Sequence, residues 1–153
     1  MDANGDRQDC SALINAQLGG FNLTMGLRFI RANMEEVVAE LVIGPQHLQP
    51  YGLVHGGVYS AMVETLCSVG ASLRASRDGC AAVGLENTTS FVRGAREGLL
   101  RGSAVPLSSG RRTQVWRAEL RNDADKLIAT GNVRLLNVED GSPIAGQGVG
   151  SGS

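Results

Sequence analysis

Between residues 57 and 75, Val58, Met62, Leu66, Val69 and Leu73 recur at steps of four or three, the spacing of one apolar face on an α-helix. No other stretch keeps that period over a comparable length. The chain therefore has one long helix, and whatever else it forms must cover that apolar seam.

The cover is β-structure. After Asp78-Gly79 four extended segments follow, at 81–93, 99–107, 113–121 and 127–138, separated by turn-rich residues 95–98, 108–110 and 122–125. In the third segment Gln114, Trp116, Ala118 and Leu120 alternate with Val115, Arg117, Glu119 and Arg121, so one face is mostly apolar and the other largely charged. Upstream, a short amphipathic helix near 11–18 stops at Gly19-Gly20, and segments 27–32 and 36–43 flank a polar tip as a hairpin. Helix, hairpin, long helix and four-strand meander make an α+β domain, an antiparallel sheet packed on one central helix. Residues 1–10 and the Gly/Ser-rich 140–153 have little to bury and are expected to be disordered, leaving 11–139 as the domain.

Composition narrows the function classes. A chain of 153 residues, 42% hydrophobic and 19% charged with net charge −1, is of one-domain size and lacks the basic excess of general nucleic-acid binders. No apolar run approaches the ~18 residues of a membrane span, and the opening MDANGDRQDC has no signal-peptide core, so no membrane partner and a cytoplasmic location are expected. Three cysteines (Cys10, Cys67, Cys80) without CxxC spacing suggest neither a disulfide framework nor a zinc knuckle. With His47 and His55 the only histidines and no HExxH, no metal site is expected.

One charge stands out by isolation. Of the 33 residues between Glu40 and Arg74, only Glu64 is formally charged. It lies on the long helix about 200° around from Met62, on a face with Ser60, Ser68, Ala71 and Ala75. A solvent-facing stripe would carry several charges. A lone acid among small residues instead suits close approach by a ligand or another chain, and Glu64 is read as a functional acid.

Gly52-Leu53-Val54-His55-Gly56-Gly57 leads straight into that helix. Glycines let a ligand approach the backbone, and the unpaired N–H groups of a first helical turn can donate to an oxygen that becomes negative. Eight helical residues span about 12 Å, too far for Gly56 N–H and the Glu64 carboxylate to meet on one carbonyl. If both act on it, they come from different subunits, which predicts an obligate dimer.

The run from Gly52 to Tyr59, followed by Glu64 and then by Asn87-Thr88-Thr89-Ser90-Phe91-Val92-Arg93, resembles the hotdog-fold acyl-CoA thioesterases. Within them it is similar to the PaaI-like branch that contains the Arthrobacter-type 4-hydroxybenzoyl-CoA thioesterases, over residues of about 18 to 138. The resemblance implies a sheet wrapped around one central helix and an acyl-CoA substrate. It also implies that Gly56 N–H and the Gln49 amide polarise the thioester carbonyl, that Glu64 is nucleophile or general base, and that Ser68 helps hold water. His55 is expected to order the loop. Gly57, Tyr59, Ser90, Arg93 and Gly110 become substrate or CoA contacts, a homodimer is the minimal unit, and a dimer of dimers is expected. No cofactor is implied, because CoA is part of the substrate. Two departures stand out: Gly94 follows Arg93 where the family commonly has Pro, and Arg111-Arg112 replaces the Ser-Thr of the Arthrobacter type.

Those roles agree with elementary chemistry. A thioester lacks much of an ester's resonance stabilisation, so a carboxylate with an oxyanion donor suffices without metal or triad. A Ser-His-Asp hydrolase is disfavoured, since GxSxG is absent and neither histidine has a local acid partner. From Arg93 to Arg121 seven arginines face two acids, a local net of +5 against −6 for the rest of the chain. Guanidinium forks suit the phosphates of coenzyme A, and Arg111-Arg112 at a hairpin end are free to reach them, whereas Arg117 and Arg121 read as a solvated sheet face. Phe91, Met62 and Trp116 are read as core and Cys67 as a buried, unreactive thiol. Two other classes remain open: a hydratase or dehydratase on acyl thioesters, and a non-catalytic acyl-CoA-binding module.

Overall fold

The structure, a computed structural model, describes residues 7–149. In chain order it runs through helices α1 (Ser11–Ala16) and α2 (Gly20–Met25), strands β1 (Leu27–Ala32) and β2 (Val37–Val42), and a 3-10 turn at Pro45–His47. The long helix α3 (Gly56–Ser76) follows, then strands β3 (Cys80–Phe91), β4 (Leu99–Ser109), β5 (Thr113–Arg121) and β6 (Leu127–Glu139), and a small hairpin of β7 (Pro143–Ile144) and β8 (Gln147–Gly148).

Six strands form one antiparallel sheet in the order β1-β2-β4-β5-β6-β3. Tight turns join β4, β5 and β6 into a meander, as the spacing predicts. β3 is not its first member: it pairs with β6 at the far edge, while β4 pairs with β2. The cause lies in residues 92–98, which do not turn back but cross the start of α3, where Ala95 N–H donates to Tyr59 Oη at 3.2 Å and Ala95 O accepts from Val54 N–H at 2.8 Å. That crossing carries the chain from one side of the sheet to the other.

The sheet wraps α3, whose Met62, Val63, Leu66, Cys67 and Ala71 are fully buried against Leu41, Leu100, Trp116, Leu120 and Val133. Each such Leu or Met contributes about 1.5–3 kcal/mol on burial, so docking of the seam rather than helix propensity holds α3 in place. Packing is close: a Cβ on Gly70 would stand 2.4 Å from Trp116 Cη2, so glycine is what lets the indole lie against the helix. The buried polar atoms around it are paired. Trp116 Nε1 donates to Gln114 Oε1 at 3.0 Å, and Gln114 Nε2 donates to Ala71 O and Asn137 Oδ1 at 2.9 and 2.8 Å.

α1 ends at Ala16 with Gln17 as its C-cap, short of the expected glycine stop, and Gly19-Gly20 instead opens α2, an element the sequence pattern does not announce. Phe21 and Leu23 are exposed there, so α2 has no apolar seam to betray it, and it ends on Gly26 in the left-handed region at φ +76°. Disorder was expected for 1–10 and 140–153, of which 1–6 and 150–153 lie outside the described residues. The remainder departs from that expectation. Cys10 N–H donates to Ala32 O at 2.8 Å, and β7 and β8 pair around Ala145-Gly146, both at positive φ as a two-residue hairpin turn requires. Among the described residues no helix is long and apolar enough to cross a membrane.

Candidate active site

The loop before α3 is a narrow hairpin. His55 N–H donates to His47 O and Gln49 N–H to Leu53 O, both at 2.8 Å, around Gly52 at φ +74°. This delivers His55 to the N-cap of α3, where its Nδ1 accepts from Gly57 N–H at 2.8 Å and its carbonyl accepts from Val58 N–H at 2.9 Å. His55 thus caps the start of α3, and the Gly57 N–H is occupied. Gly56 N–H has no acceptor among the described residues, leaving one first-turn donor without a partner. Gln49 Oε1 accepts from Tyr51 N–H, which orients the amide and leaves its NH2 to donate.

Glu64 sits two turns further along the unbroken helix, half-buried. Its carboxylate is held at both oxygens: Ser68 Oγ donates to Oε1 and Asn87 Nδ2 to Oε2, each at 3.0 Å. A Cβ on Gly84 would lie 2.7 Å from Oε1, so a glycine on β3 makes the room the carboxylate occupies. Beside it opens a groove of about 570 Å3 with Leu13, Ile14, Val69 and Leu73 as apolar lining and Ser68 and Ser72 as polar lining. The structure thus brings Glu64 and Ser68 together and adds Asn87, which sequence reasoning did not single out. Cys67 is buried behind Glu64, and burial, with the Glu64 charge adding to it, pushes its thiol up to about 12. It is inert at neutral pH, in keeping with its reading as a small apolar residue.

Other candidates are placed differently. Tyr59 is only 2% exposed and its hydroxyl accepts from Ala95 N–H, so it belongs to the core rather than to a substrate surface. Burial raises its phenol above the ordinary value. Phe91, read as core, is 57% exposed, with its ring 5.8 Å from that of Tyr59 and against Gly56. Ser90 lies with Thr88, Arg117 and Asn132 on the sheet face turned away from α3, so within one chain it does not meet Glu64. Met62 and Trp116 are core as read.

The arginines fall at two ends. Arg93, exposed, follows β3 and its N–H donates to Ile128 O; Arg111 and Arg112, also exposed, sit on the β4–β5 turn, which Asn137 braces through the carbonyls of Gly110 and Arg111. Ile128 and Leu136, the β6 residues beside these two places, are eight residues apart, roughly 26 Å of strand. One chain does not bring the two groups together. Among the described residues no three His, Cys, Asp or Glu side chains gather as metal ligands would.

Residues 51–129 match the thioesterase superfamily model. A Mycobacterium tuberculosis protein named provisionally as an esterase is 40% identical over 121 residues, 78% of this chain and 86% of its own length. A proofreading thioesterase of Cronobacter turicensis is 31% identical over 71% of this chain and 79% of its own. Among solved structures, a thioesterase of Haemophilus influenzae superposes with a TM-score of 0.81 at 25% identity, covering 88% of this chain and 94% of that one. The sheet-wrapped helix, the glycine loop at its start and the relatives agree: the chain belongs to the thioesterase superfamily, has the PaaI-like hotdog fold, and is a thioester hydrolase.

Proposed function

We propose that the chain hydrolyses acyl-CoA thioesters at a site made by two copies of itself, with Glu64 attacking the carbonyl or activating water for the attack. The observation that carries this reading is the Glu64 carboxylate, held at both oxygens at the edge of a part-apolar groove. The acyl group lies in that groove, the thioester carbonyl accepts from Gly56 N–H and the Gln49 amide of the other copy, and Ser68 steadies the attacking water. Two turns of unbroken α3 between Gly56 and Glu64 favour this arrangement over one chain serving both roles. No cofactor or metal is required, because carboxylate and oxyanion donors supply the chemistry.

Dimerisation has a ready surface. β3 is a twelve-residue edge strand with its outer side unpaired, carrying exposed Leu85 and Phe91 and followed by exposed Val92. A long exposed edge of this kind is covered in a stable protein, and a second copy pairing along it would continue the sheet. It would also let Arg93 of one chain and Arg111-Arg112 of the other approach the phosphates of one CoA. An aryl or medium-chain acyl group fits the mixed lining, and a dimer of dimers is the expected assembly.

The test is release of free CoA thiol from a panel of aryl- and fatty-acyl-CoA substrates, with wild type and Glu64→Ala side by side. Turnover that collapses in a folded, CoA-binding variant supports the reading and identifies the acyl class. Turnover unchanged in that variant sinks Glu64. Binding without turnover by wild type favours the binding module, and loss of water from a 3-hydroxyacyl-CoA favours the dehydratase.

A further inference from the structure

We infer that Asn87 is a positioning residue for thioester hydrolysis, holding the Glu64 carboxylate from the sheet so that one oxygen faces the reacting carbon or its water. The inference rests on Glu64 being the acid of the reaction.

A glutamate on a helix has three rotatable bonds, and its terminal torsion is broad. Ser68, one turn along α3, fixes Oε1 but rides on the same helix. Asn87 supplies the second point from a different element. Its Nδ2 donates to Glu64 Oε2 at 3.0 Å and to Ser60 O at 3.1 Å, so both amide protons are used, one on the carboxylate and one on the helix backbone. Because Ser60 O and the carboxylate oxygen can only accept, they fix the amide with nitrogen toward Glu64, and its Oδ1 accepts from Thr89 Oγ1 at 2.6 Å, which braces the other end. Both amide protons of Asn87 are thereby engaged within the chain, and none is left to donate to substrate. It acts through Glu64.

The residue type matters. Leucine would leave Oε2 without its donor, and aspartate would set a second carboxylate beside the first and against the Ser60 carbonyl, three acceptors with no proton among them. Asparagine alone of these donates to both acceptors while adding no charge.

The test compares Asn87→Ala, Asn87→Asp and Thr89→Val with wild type and Glu64→Ala, all checked for folding by circular dichroism. Asn87→Ala should lower kcat by about ten- to a hundredfold with KM within about twofold, the signature of a misplaced group rather than lost binding. Asn87→Asp should move the acidic limb of the kcat/KM profile up by about one pH unit or more, because two adjacent carboxylates resist double ionisation. The other titratable groups about the groove, Asp140, Cys80 and the buried Cys67, are common to all variants. Thr89→Val, which removes the brace on the amide oxygen, should reproduce part of the kcat loss. If Asn87→Ala does not fold, the near-isosteric Asn87→Asp and Thr89→Val carry the test. Wild-type kcat and an unmoved acidic limb in these variants, with Glu64→Ala inactive, overturn the inference alone. Full activity in Glu64→Ala overturns the parent reading, and this inference falls with it.

Discussion

The ring of Phe91 occupies the space that a side chain on Gly56 would need: a Cβ there would stand 2.5 Å from Phe91 Cε2 and 2.7 Å from Cζ. One residue ends the edge strand β3 and the other begins α3, so strand end and helix start are in van der Waals contact. The backbone of Gly56 is not in the left-handed region. Its glycine is required by space, and the space lies beside the one first-turn N–H left without an acceptor.

Gly56→Ala separates these effects. The exposed Phe91 ring can swing aside, giving up its contact with Tyr59, while alanine gains helix propensity, so stability should change by less than about 1 kcal/mol. Turnover should fall by about ten- to a hundredfold, because the methyl group and the displaced ring crowd the oxyanion donor. Urea denaturation and acyl-CoA hydrolysis on the same preparation check both halves. Unchanged turnover would mean that the carbonyl does not approach Gly56.

How much of this was legible follows from what each residue's signal depends on. α3 was read from its period and β5 from its alternation, since both signals are local and set by burial on one face. The isolation of Glu64 was legible because one charge in a long uncharged stretch needs no structure to notice. Asn87 was not, and β3 shows why. A register shift between Gly84 and Glu86 lets residues three apart, Gly84 and Asn87, both face α3, where strict alternation would put them on opposite faces. Ser90 fell to the same limit: the motif it belongs to was recognised, but the face it occupies is fixed by a bulge. The place of β3 beyond β6 was illegible for another reason. Residues 92–98 look like any turn-rich separator, and only their bonds to Tyr59 and Val54 reveal a crossing.

Asp9 gives a pH-dependent anchor for the N-terminal segment. Its carboxylate accepts from Ala32 N–H and Ser11 N–H, each at 2.9 Å, and these bonds, that to Ala32 foremost, hold it below the usual carboxylate range. A folded-state value below the unfolded one means that the contribution is present above the unfolded value of about 3.9 and disappears as pH falls through the folded one. Asp9 is exposed and screened, so Asp9→Ala should cost about 1 kcal/mol or less at pH 7. The difference from wild type should shrink at pH 3 and below. Urea midpoints at pH 7 and pH 2.5 test it; a gap that widens in acid would contradict the assignment.

Glu40 is the opposite kind of acid, ion-paired and out of water. It is 7% exposed on the outer sheet face, between Arg28 on β1 and Arg101 on β4, with its register partners on both sides arginine. Arg101 donates from Nε and Nη2 to Oε1 at 3.0 and 2.6 Å, and Arg28 Nη2 donates to Oε2 at 2.8 Å. Both arginines keep most of their surface in solvent, so either can rehydrate when its partner is lost, whereas the carboxylate cannot. The loss should therefore be unequal. Arg28→Ala should cost no more than about 1 kcal/mol and weaken further with salt, as for an exposed pair. Arg101→Ala, which strips two bonds from a buried charge, should cost about 2–4 kcal/mol. Urea denaturation of both variants at 0.05 and 1 M NaCl is the check. Equal losses would mean that the carboxylate reaches water when either arginine is removed, and that Glu40 is less enclosed than its neighbours on β1 and β4 make it.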